Sequence, residues 1–248
     1  MNLVWLPGAA AGFLLLFARI GSILLLLPPL SEEAIAGRIR LMIALGMTAG
    51  LYGLLSVNVA GIDALPHTIV SELVTGLSIG LLVRFIILAV TMAGSFASLQ
   101  IGLSSALVSD PALGGQVPLL SRLLGLLAVL VLFSMNIHHL WFSAIVRSYQ
   151  VFPVGGVFPA ETFAGLAVAA AGEGMALAIS LAAPLLIYGV VFNVALGLAA
   201  RLAPGIQVYF IAQPLNLLIG IAVLMATIGS IMTVFTTSLE RWLTLIWR

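Results

Sequence analysis

Long runs of apolar residues with almost no charge constrain the fold of this chain more than any other feature of its sequence. An α-helix needs about 20 predominantly apolar residues to cross the hydrocarbon core of a bilayer. The runs that approach or exceed this length are about Ala9–Leu30, Leu41–Ala60, Ile69–Met92, Leu119–Val146, Phe163–Gly197 and Ile206–Leu239. The last run is too long for one straight crossing and contains Pro214, which predicts a kinked helix or a helical hairpin. The sequence therefore predicts an all-α integral membrane protein.

The composition shows what must surround these helices. Of the 248 residues, 62% are hydrophobic and only 7% are charged. A soluble domain carries about 25% charged residues, so the solvent here has to be lipid or partner subunits that are themselves apolar. The nine basic residues are all arginines, scattered singly apart from Arg38 and Arg40. Because no basic stripe could follow a phosphate backbone, nucleic-acid binding is not expected.

The residue types needed for catalysis or metal binding are missing or badly spaced. The chain has no cysteine and no lysine, so it has neither thiolate chemistry nor a lysine-containing phosphate loop. His138 and His139 are adjacent, and two neighbouring side chains on a helix point about 100° apart, which is poor geometry for one metal ion. We interpret them as interfacial residues at a helix end. No catalytic residue, cofactor or metal is expected.

Four charged residues lie inside the apolar runs: Arg19, Glu72, Arg84 and Glu173. A charge at the centre of a bilayer costs at least about 2.5–3.5 kcal/mol, so each needs a partner or a wet surface. They could form an ion or proton pathway, or they could be buried charges that hold helices or subunits together. The structural interpretation is favoured, because four isolated charges do not make a relay.

Small residues recur at helical spacing. Gly94, Ser98 and Gly102 stand at i, i+4 and i+8, and such a set on a helix forms a groove that another backbone can approach closely. This predicts helix packing and gives no indication of chemistry.

The longest stretch without helical periodicity is predicted to be a loop. It consists of Ser109, Asp110, Pro111, Ala112, Leu113, Gly114, Gly115, Gln116, Val117 and Pro118. Gly114 and Gly115 make its tip flexible, and prolines stiffen both shoulders. A loop with an uncharged tip of this kind could close a pore at rest, or it could be an ordinary surface loop.

The polar motifs between the apolar runs resemble the FliR family. They occur in the family's order and spacing between about residues 28 and 220. They are Pro29, Ser31 and Arg38–Arg40; Gln100–Ala106 with Asp110–Pro111; Asn136–Trp141; Phe152–Gly155; Asn193–Leu198 with Arg201, Ala203 and Pro204; and Pro214–Leu215. Ile137 stands where the family usually has glycine, and Gln213 stands where it usually has phenylalanine.

The resemblance implies a role in protein export. FliR-type proteins are expected to consist of a FliP-like part, here about 1–160, followed in 161–248 by the remaining FliP-like helix and a FliQ-like helical hairpin, built into a helical ring. The implied partners are FliP, FliQ and FlhB, with membrane lipid and unfolded protein substrates. The implied location is the bacterial inner membrane, at the flagellar basal body. In that setting Ser109–Pro118 is expected to be a pore plug.

Other functions stay open from the sequence. An injectisome export-gate subunit is the close alternative to a flagellar one. A secondary transporter would fit the intramembrane charges, but transporters commonly contain internal repeats and none is found here. A membrane-embedded enzyme would need a catalytic cluster, for which the sequence offers no candidate.

Overall fold

The computed structural model describes residues 6–27, 36–55, 65–104, 106–110, 115–156, 158–204 and 207–245. Within these ranges lie seven helices and one antiparallel pair of strands. In chain order they are α1 (Leu6–Leu26), α2 (Gly37–Tyr52), α3 (Leu65–Ile101), β1 (Leu107–Asp110), β2 (Gly115–Pro118), α4 (Leu119–Ser134), α5 (His138–Val151), α6 (Ala160–Leu202) and α7 (Val208–Leu245). The prediction of an all-α membrane protein is confirmed, and the short β-hairpin is an addition to it.

Four of the described helices are long and apolar enough to cross a membrane. These segments are Gly8–Leu26, Leu65–Ile101, Ala160–Leu202 and Val208–Thr244, and α4 with α5 would form a fifth, broken span. The apolar run predicted at Leu119–Val146 is therefore not one helix. It breaks at Asn136, whose φ of 59° is left-handed. Asparagine tolerates this conformation better than most side chains do.

Helix α2 is shorter than the apolar run that predicted it. It ends at Tyr52 after 16 residues. At 1.5 Å per residue this is about 24 Å, less than the roughly 30 Å of a bilayer core. Residues 56–60 of the predicted run lie outside the described part of the chain.

Three helices are much longer than a membrane crossing. Helices α3, α6 and α7 contain 37, 43 and 38 residues, which corresponds to about 55–65 Å each. Fitting such a helix within about 30 Å would need a tilt of about 60°, beyond the usual range of 0–40°. Part of each helix must therefore extend outside the hydrocarbon core.

The last apolar run forms one helix. Pro214 lies in the second turn of α7 without ending it, and Pro184 is similarly accommodated within α6. Helices α6 and α7 are consecutive in the chain, and the Tyr188 hydroxyl of α6 donates to Oδ1 of Asn216 in α7 at 2.7 Å. The proposed correspondence of these segments to FliP-like and FliQ-like parts stays a prediction.

The chain forms two compact units, each assembled from separated segments. The first contains residues 1–85, 137–171 and 242–248. Its centre is α1, where Leu15, Leu16 and Ile20 are buried. Helix α3 packs closely on α1 at Gly76, where an added Cβ would lie 2.6 Å from the carbonyl oxygen of Arg19. The glycine is therefore required by the contact between the two backbones.

The second unit contains residues 86–136 and 172–241, and therefore the β-hairpin. Here α3 packs against α4 at Gly94, where an added Cβ would lie 2.5 Å from Cα of Ser121. The Ser121 hydroxyl also donates to the carbonyl of Thr91 at 2.7 Å. A small residue and a buried hydroxyl thus replace apolar side chains where the two backbones meet.

Candidate functional site

The structure pairs two of the four charges that the sequence places in apolar helices. Arg19 of α1 and Glu72 of α3 are each 1% exposed. Nε of Arg19 donates to Oε2 of Glu72 at 2.5 Å, and Nη2 donates to Oε1 at 2.9 Å. This two-bond geometry is the strongest arrangement that a guanidinium and a carboxylate can adopt.

The remaining donors of Arg19 bind the end of α5. Its Nη1 donates to the carbonyls of Ser148 at 3.2 Å and Phe152 at 2.7 Å. Its guanidinium carbon lies 4.3 Å from the centre of the Tyr149 ring. A helix ends with carbonyls that lack partners and carry partial negative charge, so a buried cation is well placed there.

Glu72 also holds the turn that follows α5. The backbone N–H of Gly155 donates to Oε1 of Glu72 at 3.4 Å, and Gly155 has a left-handed φ of 79°. The buried side chains of Arg19, Glu72 and Tyr149, with the exposed Gly155 at their edge, therefore tie α1, α3 and the end of α5 together. Both charges are neutralised and hydrogen-bonded, which is typical of a buried ion pair with a structural role.

The other two charges have different surroundings. Arg84 is half-buried on α3, whereas Glu173 is exposed on α6. The expectation that each is neutralised at a helix or subunit contact stays a prediction.

The segment Ser109–Pro118 is a β-hairpin where the sequence predicted a loop. Ser109 pairs with Gln116 and Asp110 with Gly115. Backbone hydrogen bonds hold the shoulders, and Pro118 both ends β2 and precedes α4. The tip, residues 111–114, lies outside the described part of the chain.

The predicted groove of small residues differs from the structure at Gly102, which lies in the turn before this hairpin. Gly94 and Ser98 lie on α3, but Gly102 follows its last residue and has a left-handed φ of 86°. The N–H of Leu103 donates to the carbonyl of Ser98 at 2.9 Å, which is the hydrogen bond of a Schellman helix end. Gly102 therefore terminates α3 and does not extend the groove.

A polar contact between three helices lies at this end of α3. Nδ2 of Asn216 in α7 donates to the carbonyl of Gln100 at 3.0 Å. The hydroxyl of Tyr188 in α6 donates to Oδ1 of the same asparagine at 2.7 Å. Asn216 is 7% exposed. Its amide uses a donor and an acceptor to join α3 and α6.

Sequence reasoning did not single out Tyr149, Tyr188 or Asn216. The sequence does contain a signal for these three residues, because a hydroxyl or amide inside an apolar helix needs a hydrogen-bonding partner as a charge does. His138 and His139 begin α5, where their ring centres are 4.3 Å apart. Among the residues that the structure describes, no three His, Cys, Asp or Glu side chains are close enough to hold a metal ion.

These features define a helical membrane protein in which buried polar side chains join helices. The sequence matches the model of bacterial export proteins, family 1, over residues 10–242. It is 34% identical over 226 residues to the flagellar biosynthetic protein FliR of Caulobacter vibrioides, with 90% of each chain covered. The chain therefore belongs to the FliR family of bacterial export proteins, and the resemblance seen in its motifs is confirmed.

Two further relatives show the breadth of the family. The flagellar biosynthetic protein FliR of Escherichia coli is 34% identical over 213 residues, covering 84% of this chain and 80% of the relative. The Yop proteins translocation protein T of Yersinia pestis is 28% identical over 211 residues, covering 82% of this chain and 80% of the relative.

Proposed function

We propose that this chain is a core subunit of the flagellar type III protein export gate in the bacterial inner membrane. With FliP and FliQ it forms the channel through which unfolded flagellar proteins cross, and FlhB is a further partner. The observation that carries this proposal is the 34% identity to a flagellar FliR across 90% of both chains. The injectisome alternative is supported by the Yersinia relative, at the lower identity of 28%.

Exposed apolar helices support assembly with other subunits. Only 33% of the most apolar window of α6 and 22% of that of α7 is buried within the chain. Both helices are longer than the hydrocarbon core, so lipid cannot cover their whole length. Apolar surface outside the bilayer has to be covered by protein, and exposed patches of this kind mark interaction sites.

Because apolar surface of α6 and α7 is exposed in the single chain, we expect the chain to be unstable alone and stable only in its complex. Expression in detergent without FliP and FliQ should give aggregated or degraded protein, and co-expression should give one large complex. Size-exclusion chromatography with mass measurement distinguishes the two results. A monodisperse, folded monomer in the absence of partners contradicts the proposal.

Flagellar and injectisome roles separate in a complementation experiment. This chain is introduced into an Escherichia coli strain that lacks its own FliR, and swimming is scored. A flagellar subunit should restore motility, with the native FliR as the positive control.

Reversal of Arg84 or Glu173 is expected to impair assembly more than transport. An unpaired charge left at a closed subunit contact destabilises that contact by several kcal/mol. Arg84→Glu and Glu173→Lys should therefore lower the yield of purified complex, with export per assembled complex maintained. Glu173→Gln is the decisive control. If it assembles normally but export no longer depends on the proton gradient, a proton relay replaces the structural role.

The β-hairpin is proposed to be the plug of the channel at rest. A channel wide enough for an unfolded chain would leak ions, and an uncharged constriction can close a pore by excluding water. The residues of the hairpin and its tip include a single charged side chain, Asp110. Backbone pairing between β1 and β2 holds the two shoulders of the segment together.

A further inference from the structure

The root of the β-hairpin is held where three helices meet. The last turn of α3 approaches α6 at Gly189, where an added Cβ would lie 2.6 Å from Cδ of Gln100. It approaches α7 at Gly220, where an added Cβ would lie 2.6 Å from Cγ1 of Ile101. Small residues on both helices therefore bring them against the end of α3, just before the chain enters the hairpin.

Asn216 satisfies a carbonyl that α3 leaves without a partner. The last four carbonyls of a helix have no intrahelical donor, and the carbonyl of Gln100 is one of them. The N–H of Leu103 binds Ser98, and Nδ2 of Asn216 binds Gln100. Tyr188 fixes the orientation of the Asn216 amide by donating to Oδ1. The polar contact thus determines where α3 ends relative to α6 and α7.

The hairpin follows directly from this fixed end. Gly102 turns the chain out of α3, and the N–H of Leu119 donates to the carbonyl of Ala106 at 2.9 Å, which closes the base of the hairpin onto the start of α4. Any shift of the α3 end is therefore passed to β1 through only a few residues.

We propose that Tyr188, Asn216 and the carbonyl of Gln100 form a latch that positions the hairpin and releases it when α6 and α7 move away from α3. Asn216 is the positioning residue, because it alone contacts both other groups. This inference rests on the proposed function in one respect, namely that the hairpin closes a pore.

The strength of the latch suits reversible opening. Its hydrogen bonds, which include a contact of the Tyr188 hydroxyl with the Asn216 backbone carbonyl at 3.0 Å, join neutral groups, and the loss of one such bond changes an equilibrium only about five-fold. The buried Arg19–Glu72 pair, by contrast, cannot lose one partner without leaving a buried charge. The first contact can open and close during transport, whereas the second behaves as a permanent joint.

The test uses the complex of this chain with FliP and FliQ and two separate measurements. The chain has no cysteine, so Gln116→Cys in β2 provides a single labelling site in this chain for every variant that keeps the hairpin, and the deletion variant is compared by conductance alone. The rate of maleimide labelling reports the position of the hairpin, and the conductance of membranes containing the complex reports the pore. The variants are Tyr188→Phe and Asn216→Leu. Tyr209→Phe, which changes an exposed tyrosine on α7, is the matched control.

Tyr188→Phe should increase both labelling and resting conductance about five-fold, and Asn216→Leu, which removes both side-chain bonds of Asn216, should increase them further. Tyr209→Phe should change neither. Adding Asn216→Leu to a chain that lacks Ala112–Gln116 should give no further conductance, because the hairpin through which the latch acts has been removed. Tyr188→Phe preserves the ring and its packing, so it provides the answer if Asn216→Leu prevents assembly.

Two outcomes separate the latch from the plug. If deletion of Ala112–Gln116 raises conductance but the latch variants change neither labelling nor conductance, the latch is overturned and the plug stands. If the latch variants raise labelling while neither they nor the deletion raises conductance, the latch stands and the hairpin is not the plug.

Discussion

Glu72→Gln is expected to abolish assembly of the export complex. The substitution keeps the size of the side chain but leaves the buried Arg19 guanidinium without its counter-charge. Breaking a buried ion pair on one side destabilises a protein by about 3–5 kcal/mol, and a native protein has only about 5–15 kcal/mol in total. The measurement is the yield of intact complex by native gel electrophoresis after co-expression with FliP and FliQ.

Two controls distinguish charge pairing from general damage. Glu161→Gln makes the same change at an exposed position in the first turn of α6, and it should leave the yield unchanged. The double variant Arg19→Met with Glu72→Leu removes both charges, and replacement of a buried pair by apolar residues is often neutral. It should recover a substantial part of the lost yield. Normal assembly of Glu72→Gln would mean that the pair does not contribute to stability.

Deletion of Ala112–Gln116 is expected to leave the complex assembled but permeable to small ions. The deletion shortens the hairpin, whereas the hydrogen bond between Leu119 and Ala106 that closes its base lies outside the deleted residues. A minor state commonly makes up about 0.1–10% of a population, so a gate that is open in about 1% of complexes would gain about 100-fold in conductance. Conductance across membranes containing the intact and the deleted complexes is the measurement.

A replacement of Ala112–Gln116 by five glycine and serine residues tests whether closure of the channel depends on the length of this segment or on its sequence. It keeps the segment long enough to fill the pore and uncharged, so low conductance is expected. Equal, low conductance in the intact and the deleted complexes would show that another element closes the channel.

The length and apolarity of the helices could be predicted from the sequence because they depend on local properties. A long run without charges needs no knowledge of its neighbours to be assigned as a helix. The predicted elements differ from the observed ones where single residues or short motifs interrupt the pattern. Asn136 breaks a continuous apolar run through a single left-handed residue. The sequence predicts a loop at Ser109–Pro118 because prolines and glycines obscure any alternation of strand residues, whereas the structure pairs Ser109 with Gln116 and Asp110 with Gly115.

The partners of the polar side chains could not be predicted. Arg19 and Glu72 are 53 positions apart, and Asn216 and Gln100 are 116 positions apart. A single sequence contains no distance information over such separations. It indicates that Arg19 needs a counter-charge, but Glu72 and Glu173 both lie inside apolar runs, and only the packing of α1 on α3 at Gly76 shows that Glu72 supplies it.

The sequence by itself determined that this is an all-α membrane protein without a recognisable catalytic or metal-binding motif, and its ordered motifs determined the family. These properties follow from the free energy of placing each residue in an apolar solvent and from the spacing of short motifs. Only the tertiary structure decided which charges are joined, that Gly102 ends α3, and that Tyr188 and Asn216 meet at the root of the hairpin. Those contacts depend on how helices distant in sequence approach one another, and the approach is set by close packing over many side chains at once.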